Sequence, residues 1–391
     1  APRRGLLAAF AHESPLAVVE DRCSGSPGCG ICVSGCPTSA IQLGAGGRPI
    51  VRASACNLCG RCVATCPRGA WSWVHAPWPA LLGRLEALLS RAPGPGCEEP
   101  VALLLTERAR PPAPDEASET EQPAAPWILP LELPSGTLDA GIVLRALELG
   151  AARVCAVVRR DSPEGDAGLE AAALVAEAIG AAGTVRTAGS VAEALALLGE
   201  RPQARTGATP PASPDVRCRP DASRIADRLW HGSAAARPVT FRAAGAFGGA
   251  VTAHGARCTL CDECTRTCPS GALSLRRGAD GVGLVFDSRR CPGGCGLCAR
   301  ACPYRALTAW NEVRLPAAEV VLVAPRPSHC RSCGAPWSGA TAVPALERRY
   351  DARHDKAVLR SFLMECPTCR RRKLAASLRT LVNPKATLGP Q

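Results

Sequence analysis

The stretch that decides the fold reads Cys56-Asn57-Leu58-Cys59-Gly60-Arg61-Cys62-Val63-Ala64-Thr65-Cys66-Pro67. The same cysteine spacing recurs from Cys258 to Pro269, and two variants with longer, glycine-rich first loops run from Cys23 to Pro37 and from Cys291 to Pro303. Each repeat ends in the phrase Cys-Pro-x-x-Ala, and an apolar residue follows, namely Ile41, Trp71, Leu273 or Leu307. The four repeats therefore form two pairs, one near each end of the chain.

The spacing Cys-x2-Cys-x2-Cys-x3-Cys-Pro is typical of iron–sulfur ligation. Three thiolates on one loop reach three irons of a cubane only if few residues separate them, and proline, with its fixed φ, turns the chain away afterwards. Glycines let the longer loops bulge without moving the ligands. All ligand positions are cysteine, which argues against a three-iron site, and the matched repeats argue against disulfides or a zinc cluster. We expect the apolar residue after each repeat to shield a cluster.

Residues 14–74 and 250–311 resemble the two-cluster bacterial ferredoxins, and the strand-like runs Leu16–Val19 and Leu284–Phe286 fit the small hairpins of that fold. The resemblance implies crossed ligation, in which the fourth cysteine of each repeat binds the cluster of the partner repeat. In the first pair, one 4Fe-4S cluster would use Cys23, Cys29, Cys32 and Cys66, and another Cys56, Cys59, Cys62 and Cys36. In the second pair, one cluster would use Cys258, Cys261, Cys264 and Cys302, and another Cys291, Cys295, Cys298 and Cys268.

Two Cys-x2-Cys knuckles near the C-terminus form a different pattern, made of Cys330 with Cys333 and Cys366 with Cys369. Four such thiolates can close a tetrahedral zinc site, so we predict a structural zinc ribbon. Rubredoxin-type iron is the alternative, because the phrases Cys-x2-Cys-Gly and Cys-Pro-x-Cys fit it too, and unligated thiols are a third reading. The basic segment Val343–Met364 between the knuckles is predicted to be helical, which favours the ribbon. Three scattered cysteines remain: Cys97, Cys218 and Cys155, the last of which is expected in the core.

Strand and helix patterns alternate between the two ferredoxin-like parts. Strands are predicted at Val101–Thr106, Trp127–Leu133, Arg153–Val158 and Gly183–Arg186, and helices at Leu138–Leu149, Leu169–Ile179 and Val191–Leu198. This order predicts βαβ units on a small parallel sheet. The proline-rich stretches Arg108–Ala125 and Arg201–Pro220 are predicted to be a mobile loop and a linker. No glycine-rich phosphate-binding motif occurs, so no nucleotide site is predicted.

The phrase Leu133-Pro134-Ser135-Gly136-Thr137-Leu138-Asp139, with Val143–Ala151 after it, resembles the iron–sulfur delta subunit of methyl-viologen-reducing hydrogenases. In that family a cysteine usually precedes the Ser-Gly pair and further cysteines follow the next strand. Here Pro134 and Arg159-Arg160-Asp161 occupy those places. The resemblance therefore implies the fold without its cluster, and a scaffold or docking domain rather than a redox site. The whole layout, including Cys330–Trp337 and Glu365–Arg370, resembles iron–sulfur proteins associated with formate dehydrogenase and hydrogenase complexes.

These patterns together predict an α+β protein. Two ferredoxin-like dicluster modules flank a small α/β domain with a parallel sheet, and a zinc-ribbon-like knuckle of four cysteines follows. The predicted boundaries are 1–78 for the first dicluster module, 79–200 for the delta-like α/β domain, 201–245 for a linker, 246–312 for the second dicluster module and 313–391 for the ribbon and tail.

The charge balance of 46 Lys and Arg against 34 Asp and Glu, a formal +12, by itself suggests a nucleic acid or an anionic membrane as partner. An oxidised 4Fe-4S cluster with four thiolates carries about −2, however, and so does a zinc ion with four thiolates. Five such sites reduce the net charge to about +2, so the basic excess mainly compensates the clusters and no nucleic acid is expected as partner. No apolar run reaches the roughly 18 residues of a transmembrane helix. Metal-bound thiolates favour a reducing, cytoplasmic location, and we expect no export leader.

We predict an electron-transfer protein that relays single electrons through four 4Fe-4S clusters. Its partners would be a formate dehydrogenase- or hydrogenase-type oxidoreductase and another redox carrier, such as a ferredoxin-like protein. The alternative is a catalytic or regulatory subunit of a redox complex with its active or docking site in the α/β domain. We predict no catalytic residue, because the six histidines form no recognisable triad or metal motif. A nucleic-acid-binding regulator is a third reading, whose only hints are the ribbon and the basic run Arg370–Lys373.

Overall fold

The computed structural model describes residues 14–25, 29–90, 101–108, 125, 127–158, 163–199, 219–242, 247–326, 329–337, 361 and 363–382. The chain divides into two compact units. The first consists of Ala1–Ala250, Asp287–Gly296 and Trp310–Ala318, and the second of Val251–Phe286, Leu297–Ala309 and Glu319–Gln391. Cys97, Cys218, residues 109–124 of the predicted loop, 201–218 of the predicted linker and 343–360 of the predicted helix lie outside the described residues.

The first pair of repeats forms two short helices and two short antiparallel sheets. Helix α1 (Ile31–Gly35) carries Cys32, and helix α2 (Arg61–Thr65) carries Cys62. The sheets pair β1 (Leu16–Val18) with β4 (Trp71–Trp73), and β2 (Ile41–Leu43) with β3 (Pro49–Val51). The predicted strand before Cys23 is thus confirmed, and each sequence repeat of this pair contains one short helix of the same length.

A helix that was not predicted, α3 (Trp78–Ser90), packs against β4. Its buried leucines recur at Leu81, Leu85 and Leu89, a spacing that places them on one helix face. The Trp78 indole Nε1 donates a hydrogen bond to the carbonyl of Trp71 at 3.0 Å. Trp71, Trp73 and Trp78 are all buried, so the end of the first dicluster module and α3 share one core.

The parallel sheet predicted for the centre of the chain is present, with the strand order β6-β5-β7-β8 and every pair parallel. The element order confirms the predicted βαβ units. The strands are β5 (Ala102–Arg108), β6 (Ile128–Pro134), β7 (Arg153–Val157) and β8 (Val185–Ala188), and the helices are α4 (Ala140–Glu148), α5 (Pro163–Ala178) and α6 (Val191–Leu198). Cys155 lies buried on β7, as expected for a core residue.

Part of the predicted linker at 201–245 is regular structure. Helix α7 (Ala222–His231) begins at Asp221, whose side chain accepts from the backbone N–H of Arg224, and strand β9 (Val239–Phe241) follows. Apolar residues recur at helical spacing along α7, with Ile225 buried and Leu229 packed against the core, so the predicted linker extended too far beyond the proline-rich stretch. The other predicted domain boundaries stay predictions.

The second pair of repeats follows the plan of the first. Helices α8 (Glu263–Thr267) and α9 (Leu297–Ala301) carry Cys264 and Cys298. Strands β10 (Gly249–Ala253) and β13 (Leu307–Asn311) pair with each other, and β9 pairs with β14 (Val313–Leu315). The remaining sheet has the order β11 (Leu273–Gly278), β12 (Gly281–Asp287) and β15 (Glu319–Arg326), so the strand predicted at Leu284–Phe286 is confirmed within β12. Helix α10 (Pro367–Val382) carries the last cysteine.

No helix within the described part of the chain combines the length and the apolar character needed to cross a bilayer.

A buried ion-pair network connects α3, α4 and α7. Arg145 and Glu148 of α4 are only 4% and 3% exposed, and they bond each other at 2.6 Å. Arg145 also reaches Glu86 of α3 at 2.7 Å, and Arg228 of α7 reaches Glu148 at 2.7 Å. Charges this deep are tolerated only when each one is paired.

Replacing Glu148 with leucine should destabilise the first unit by about 3–5 kcal/mol, because the buried Arg145 then loses its nearest counter-charge. Chemical denaturation of the anaerobically prepared protein, followed by circular dichroism, measures this loss. Glu86→Leu is the matched control, because Glu86 is 38% exposed and water can replace it. Equal losses for the two variants would contradict the importance assigned to burial.

Candidate iron–sulfur and metal centres

The two regular cysteine loops share an unusual backbone. Leu58 and Leu260 have φ values of 59° and 54°, and Gly60 and Asp262 have values of 73° and 72°. A left-handed conformation costs a residue with a side chain about 1–2 kcal/mol. Left-handed residues in such turns gather successive backbone N–H groups into a concavity that suits anions, iron–sulfur clusters among them. The loops are therefore shaped for an anionic group held by their cysteines.

The Cys-Pro-x-x-Ala phrase forms a turn around the fourth cysteine of each repeat. The residue before the alanine is left-handed in all four repeats, with φ between 47° and 65° at Ser39, Gly69, Gly271 and Arg305. In three repeats the alanine N–H then donates to the cysteine sulfur at 3.2–3.3 Å, in the pairs Ala40 with Cys36, Ala70 with Cys66, and Ala306 with Cys302. Such bonds stabilise a thiolate and influence the potential of a cluster bound to it.

Cys36 shows the effect of these bonds. Burial acts to raise its pKa, but hydrogen bonds from the Thr38 side chain and the Ala40 N–H outweigh it and lower the pKa below the ordinary value. The fourth cysteine of this repeat is therefore prepared to ligate as a thiolate.

Cys32 lies near the thiols that crossed ligation assigns to the same cluster. Burial raises the pKa of Cys32 to about 11, a hydrogen bond with the Trp71 side chain opposes the rise, and the charges of Cys66, Cys29 and Cys23 add to it. The structure thus brings together the four residues assigned to the first cluster. The ligand assignment itself stays a prediction.

Two other third cysteines are crowded in the same way. Burial raises the pKa of Cys62 to about 12, and the charges of Cys59, Cys56 and Cys32 raise it further, although crossed ligation assigns Cys32 to the other cluster of this pair. In the second unit, burial raises the pKa of Cys264 to about 12, with contributions from neighbouring thiols in the order Cys258, Cys261, Cys298 and Cys302. A bound metal reverses this situation, because coordination deprotonates a thiol outright.

The remaining cysteine loop of the second pair is held within the first unit. The Gly294 N–H donates to the Asn311 side-chain oxygen at 2.6 Å. Gly249 leaves room for the neighbouring thiol, because a β-carbon there would lie 2.4 Å from the Cys291 sulfur. Cys295 follows Gly294 directly in the sequence, so both contacts lie in the segment that carries Cys291 and Cys295. Neither Asn311 nor Gly249 belongs to the repeated motif, so spacing alone did not identify them.

The α/β domain packs directly on the first dicluster module. A β-carbon on Gly60, between Cys59 and Cys62, would lie 2.1 Å from the carbonyl oxygen of Ser135, and one on Gly136 would lie 2.2 Å from the carbonyl oxygen of Gly60. The Trp73 indole also donates to the Ser135 carbonyl, at 3.0 Å. The Ser-Gly phrase that resembles the hydrogenase subunit thus contacts a cysteine loop of the dicluster module.

Arg219 strengthens this contact. Its guanidinium bonds the Asp139 carboxylate and the Ala64 carbonyl, each at 2.5 Å. No sequence signal identified Arg219, because its partners lie on distant parts of the chain.

The four apolar residues after the repeats, Ile41, Trp71, Leu273 and Leu307, are all buried.

The C-terminal knuckles meet as predicted from their sequence. The sulfur atoms of Cys330, Cys333, Cys366 and Cys369 all lie within 4.8 Å of one another. Tetrahedral zinc with Zn–S bonds of about 2.3 Å needs sulfurs about 3.8 Å apart, and Cys333 and Cys366 are 3.8 Å apart. The residues therefore fit a four-thiolate metal ion.

Two of these thiols differ in their electrostatic surroundings. A hydrogen bond from the Cys366 N–H lowers the pKa of Cys330 to about 6. Hydrogen bonds with the thiols of Cys333 and Cys366 raise the pKa of Cys369 to about 12. Cys330 is therefore the easier of the two to deprotonate, and Cys369 loses its proton when a metal ion binds.

Comparison with known families identifies both cysteine-rich regions as iron–sulfur domains. Residues 22–71 and residues 257–306 each match a family model described as a 4Fe-4S dicluster domain. The two ranges include all sixteen predicted cluster ligands. No curated protein matches the chain. The chain therefore contains two ferredoxin-type 4Fe-4S dicluster domains, which point to an iron–sulfur electron-transfer protein.

Replacing Gly60 with alanine should weaken the first dicluster module. The new β-carbon meets backbone atoms that cannot move aside, and overpacking of this kind costs about 1–3 kcal/mol. We expect lower iron content and faster loss of visible absorbance in air. Gly46→Ala is the matched control, because Gly46 has the same left-handed backbone, with φ of 75° against 73° at Gly60, and a β-carbon there meets no atom within 4 Å. Equal behaviour of the two variants would contradict the contact.

Proposed function

We propose that the protein relays single electrons through four 4Fe-4S clusters, between a formate dehydrogenase- or hydrogenase-type oxidoreductase and a second redox carrier. The observation that supports it best is the grouping of a third cysteine with the fourth thiol of the partner repeat inside both matched domains, at Cys32 with Cys66 and at Cys264 with Cys302. A bound 4Fe-4S cluster supplies reversible one-electron chemistry, with a potential set by its protein surroundings. The choice of oxidoreductase rests on the resemblance of the whole layout to proteins of such complexes.

The sixteen cysteines would act as four crossed ligand sets. The amide N–H groups of Ala40, Ala70 and Ala306 would stabilise charge on the fourth ligand of their repeats, since each already donates to that sulfur. The buried Trp71 would keep water away from the first pair, because it lies in the core and hydrogen-bonds Cys32. Exclusion of water and hydrogen bonds to sulfur are the two means by which these residues would tune the relay.

The α/β domain would support the relay rather than catalyse. Glu107 of this domain is a titratable group whose pKa is raised by burial. Its carboxylate accepts from the Leu138 N–H at 2.9 Å, so it holds the loop that packs on Gly60. A catalytic or regulatory site in this domain is the alternative proposal. Turnover of an organic substrate by the purified protein without any redox partner would favour that alternative.

The C-terminal four-cysteine site would hold a structural zinc ion, with mononuclear iron as the alternative. Its four thiols enclose a site of the right size, and nearby contacts brace it. Glu365 pairs with Lys373 and accepts from the Ser332 hydroxyl, and the Arg370 guanidinium lies 5.2 Å from the centre of the Trp337 ring. A site braced in this way, with every ligand position occupied by protein, is typical of structural zinc.

Anaerobic purification followed by iron and sulfide analysis tests the number of clusters. Four cubanes require about 16 iron atoms per chain. Stepwise reduction monitored by EPR should show interacting clusters, because the two clusters of a ferredoxin-type domain lie close together. Eight or fewer iron atoms would contradict the assignment of the second pair.

Replacing Cys369 with serine should remove the metal of the C-terminal site without lowering the iron of the dicluster domains. Serine is a poor zinc ligand at neutral pH, so we expect the loss of about one zinc per chain. Elemental analysis by mass spectrometry measures both metals. Thr368→Ala, a change at the exposed neighbouring residue, is the control and should retain the metal. Loss of iron in place of zinc would identify the site as rubredoxin-like.

A further inference from the structure

A charged cleft of about 310 Å³ lies in the first unit, and neither the clusters nor the C-terminal four-cysteine site accounts for it. It is lined by Arg224, Asp227, Arg228, Asp287, Arg289 and Arg290. The first three belong to α7, and the last two end the 3₁₀ turn Ser288–Arg290, which packs against α7. All six lining residues carry charge. A ligand of this cleft is therefore recognised by charge.

The charges of the cleft are arranged in layers. The carboxylates of Asp227 and Asp287 are only 16% and 18% exposed, whereas the four arginine side chains are 41–55% exposed. The carboxylates also have partners within the protein, because Asp227 accepts from the Ala317 N–H at 2.9 Å and Asp287 from the Arg289 N–H at 3.1 Å. The outer layer of the cleft is therefore cationic.

Three of these arginines are held in position by carboxylates of the protein. Arg228 bonds the buried Glu148 at 2.7 Å, Arg289 bonds Asp287 at 2.8 Å, and Arg224 lies 3.3 Å from Asp221. Asp221, 46% exposed, is the carboxylate of this group that reaches the rim. A guanidinium fixed on one side and exposed on the other can still bind an incoming carboxylate, and less conformational entropy is lost when it does so.

The same layering occurs around the start of strand β14, which packs against α7. Glu312 is 5% exposed, and it bonds Arg242 and Arg314, which are 68% and 50% exposed, at 3.2 Å each. Glu312 directly follows Asn311, the residue that holds the Gly294 N–H. Exposed arginines on buried carboxylates are thus a repeated feature of this part of the first unit.

The cleft lies next to a proposed cluster ligand in the chain. The turn Ser288–Arg290 leads directly into Cys291, whose N–H donates to the Ser288 carbonyl at 3.3 Å. Arg289 and Arg290 are therefore the two residues that precede this cysteine. A partner bound on them would lie close to Cys291, and short distance is what electron exchange between proteins requires.

We infer that the arginine surface, defined by Arg224, Arg228, Arg289 and Arg290, is the docking site of an acidic redox protein, a carrier with carboxylates around its own cofactor. This inference rests on the proposed electron-relay function. A surface recognised by charge suits a transient carrier. Electrostatic steering speeds association, and release stays fast because the surface offers few apolar contacts. The partner's carboxylates would bind the outward sides of the four guanidinium groups.

The double variant Arg224→Glu and Arg290→Glu tests the inference in the full-length, cluster-loaded protein. The probe is an acidic plant-type ferredoxin, and its association is followed by surface plasmon resonance at low and high salt. We expect the association rate constant to fall about tenfold or more in the variant, and the wild-type rate to fall with salt. Iron content should be unchanged, since neither arginine is a ligand.

The control is Arg84→Glu with Arg186→Glu, two exposed arginines of the first unit outside the cleft, which change the net charge by the same amount. An equal effect of both double variants, or the absence of ferredoxin binding to wild-type protein with full iron, would overturn the docking site and leave the relay untouched. Too little iron in the wild type would instead overturn the relay. Arginine-dependent binding of single-stranded DNA without ferredoxin binding would also overturn the docking site.

Discussion

The crowding of thiols is the physical constraint on which the rest of the structure depends. Burial and like charge raise the pKa values of Cys32, Cys62 and Cys264 to about 11 or 12, so these groups are unfavourable as free thiolates. Coordination to a cation removes that cost, because it replaces repulsion between sulfurs with metal–sulfur bonds. The left-handed turns and the amide N–H groups around the cysteines also stabilise negative charge on the sulfurs.

The surroundings of the loops follow from that constraint. A loop that keeps left-handed residues such as Leu58 has to be supported from outside, since its backbone is unfavourable by itself. For the first dicluster domain, the α/β domain gives this support through the backbone contact of Gly60 with Ser135 and Gly136. This contact gives the α/β domain a structural role beside the first dicluster domain.

Much of the fold could be predicted from the chain alone, for a local reason. The ligand spacing, the Cys-Pro-x-x-Ala phrase and the strand–helix alternation are properties of short stretches, and local sterics and periodicity act at that range. Helices α3 and α7 were not predicted, although apolar residues recur at helical spacing in both, around Leu85 in α3 and around Ile225 in α7. Their positions depend on the ion pairs of Arg145 with Glu86 and of Glu148 with Arg228, which join residues far apart in the chain.

The stretch from Cys56 to Pro67 and its three repeats by themselves determined the type of cofactor and predicted its ligands, because both depend on residue type and spacing. Only the tertiary structure decided which parts of the chain surround that stretch. Gly60 had a role in the α/β contact that no spacing shows, and Arg289 and Arg290 became part of an arginine surface only when α7 packed beside them. The physical reason is that steric fit and charge layering depend on distances between residues that are remote in sequence.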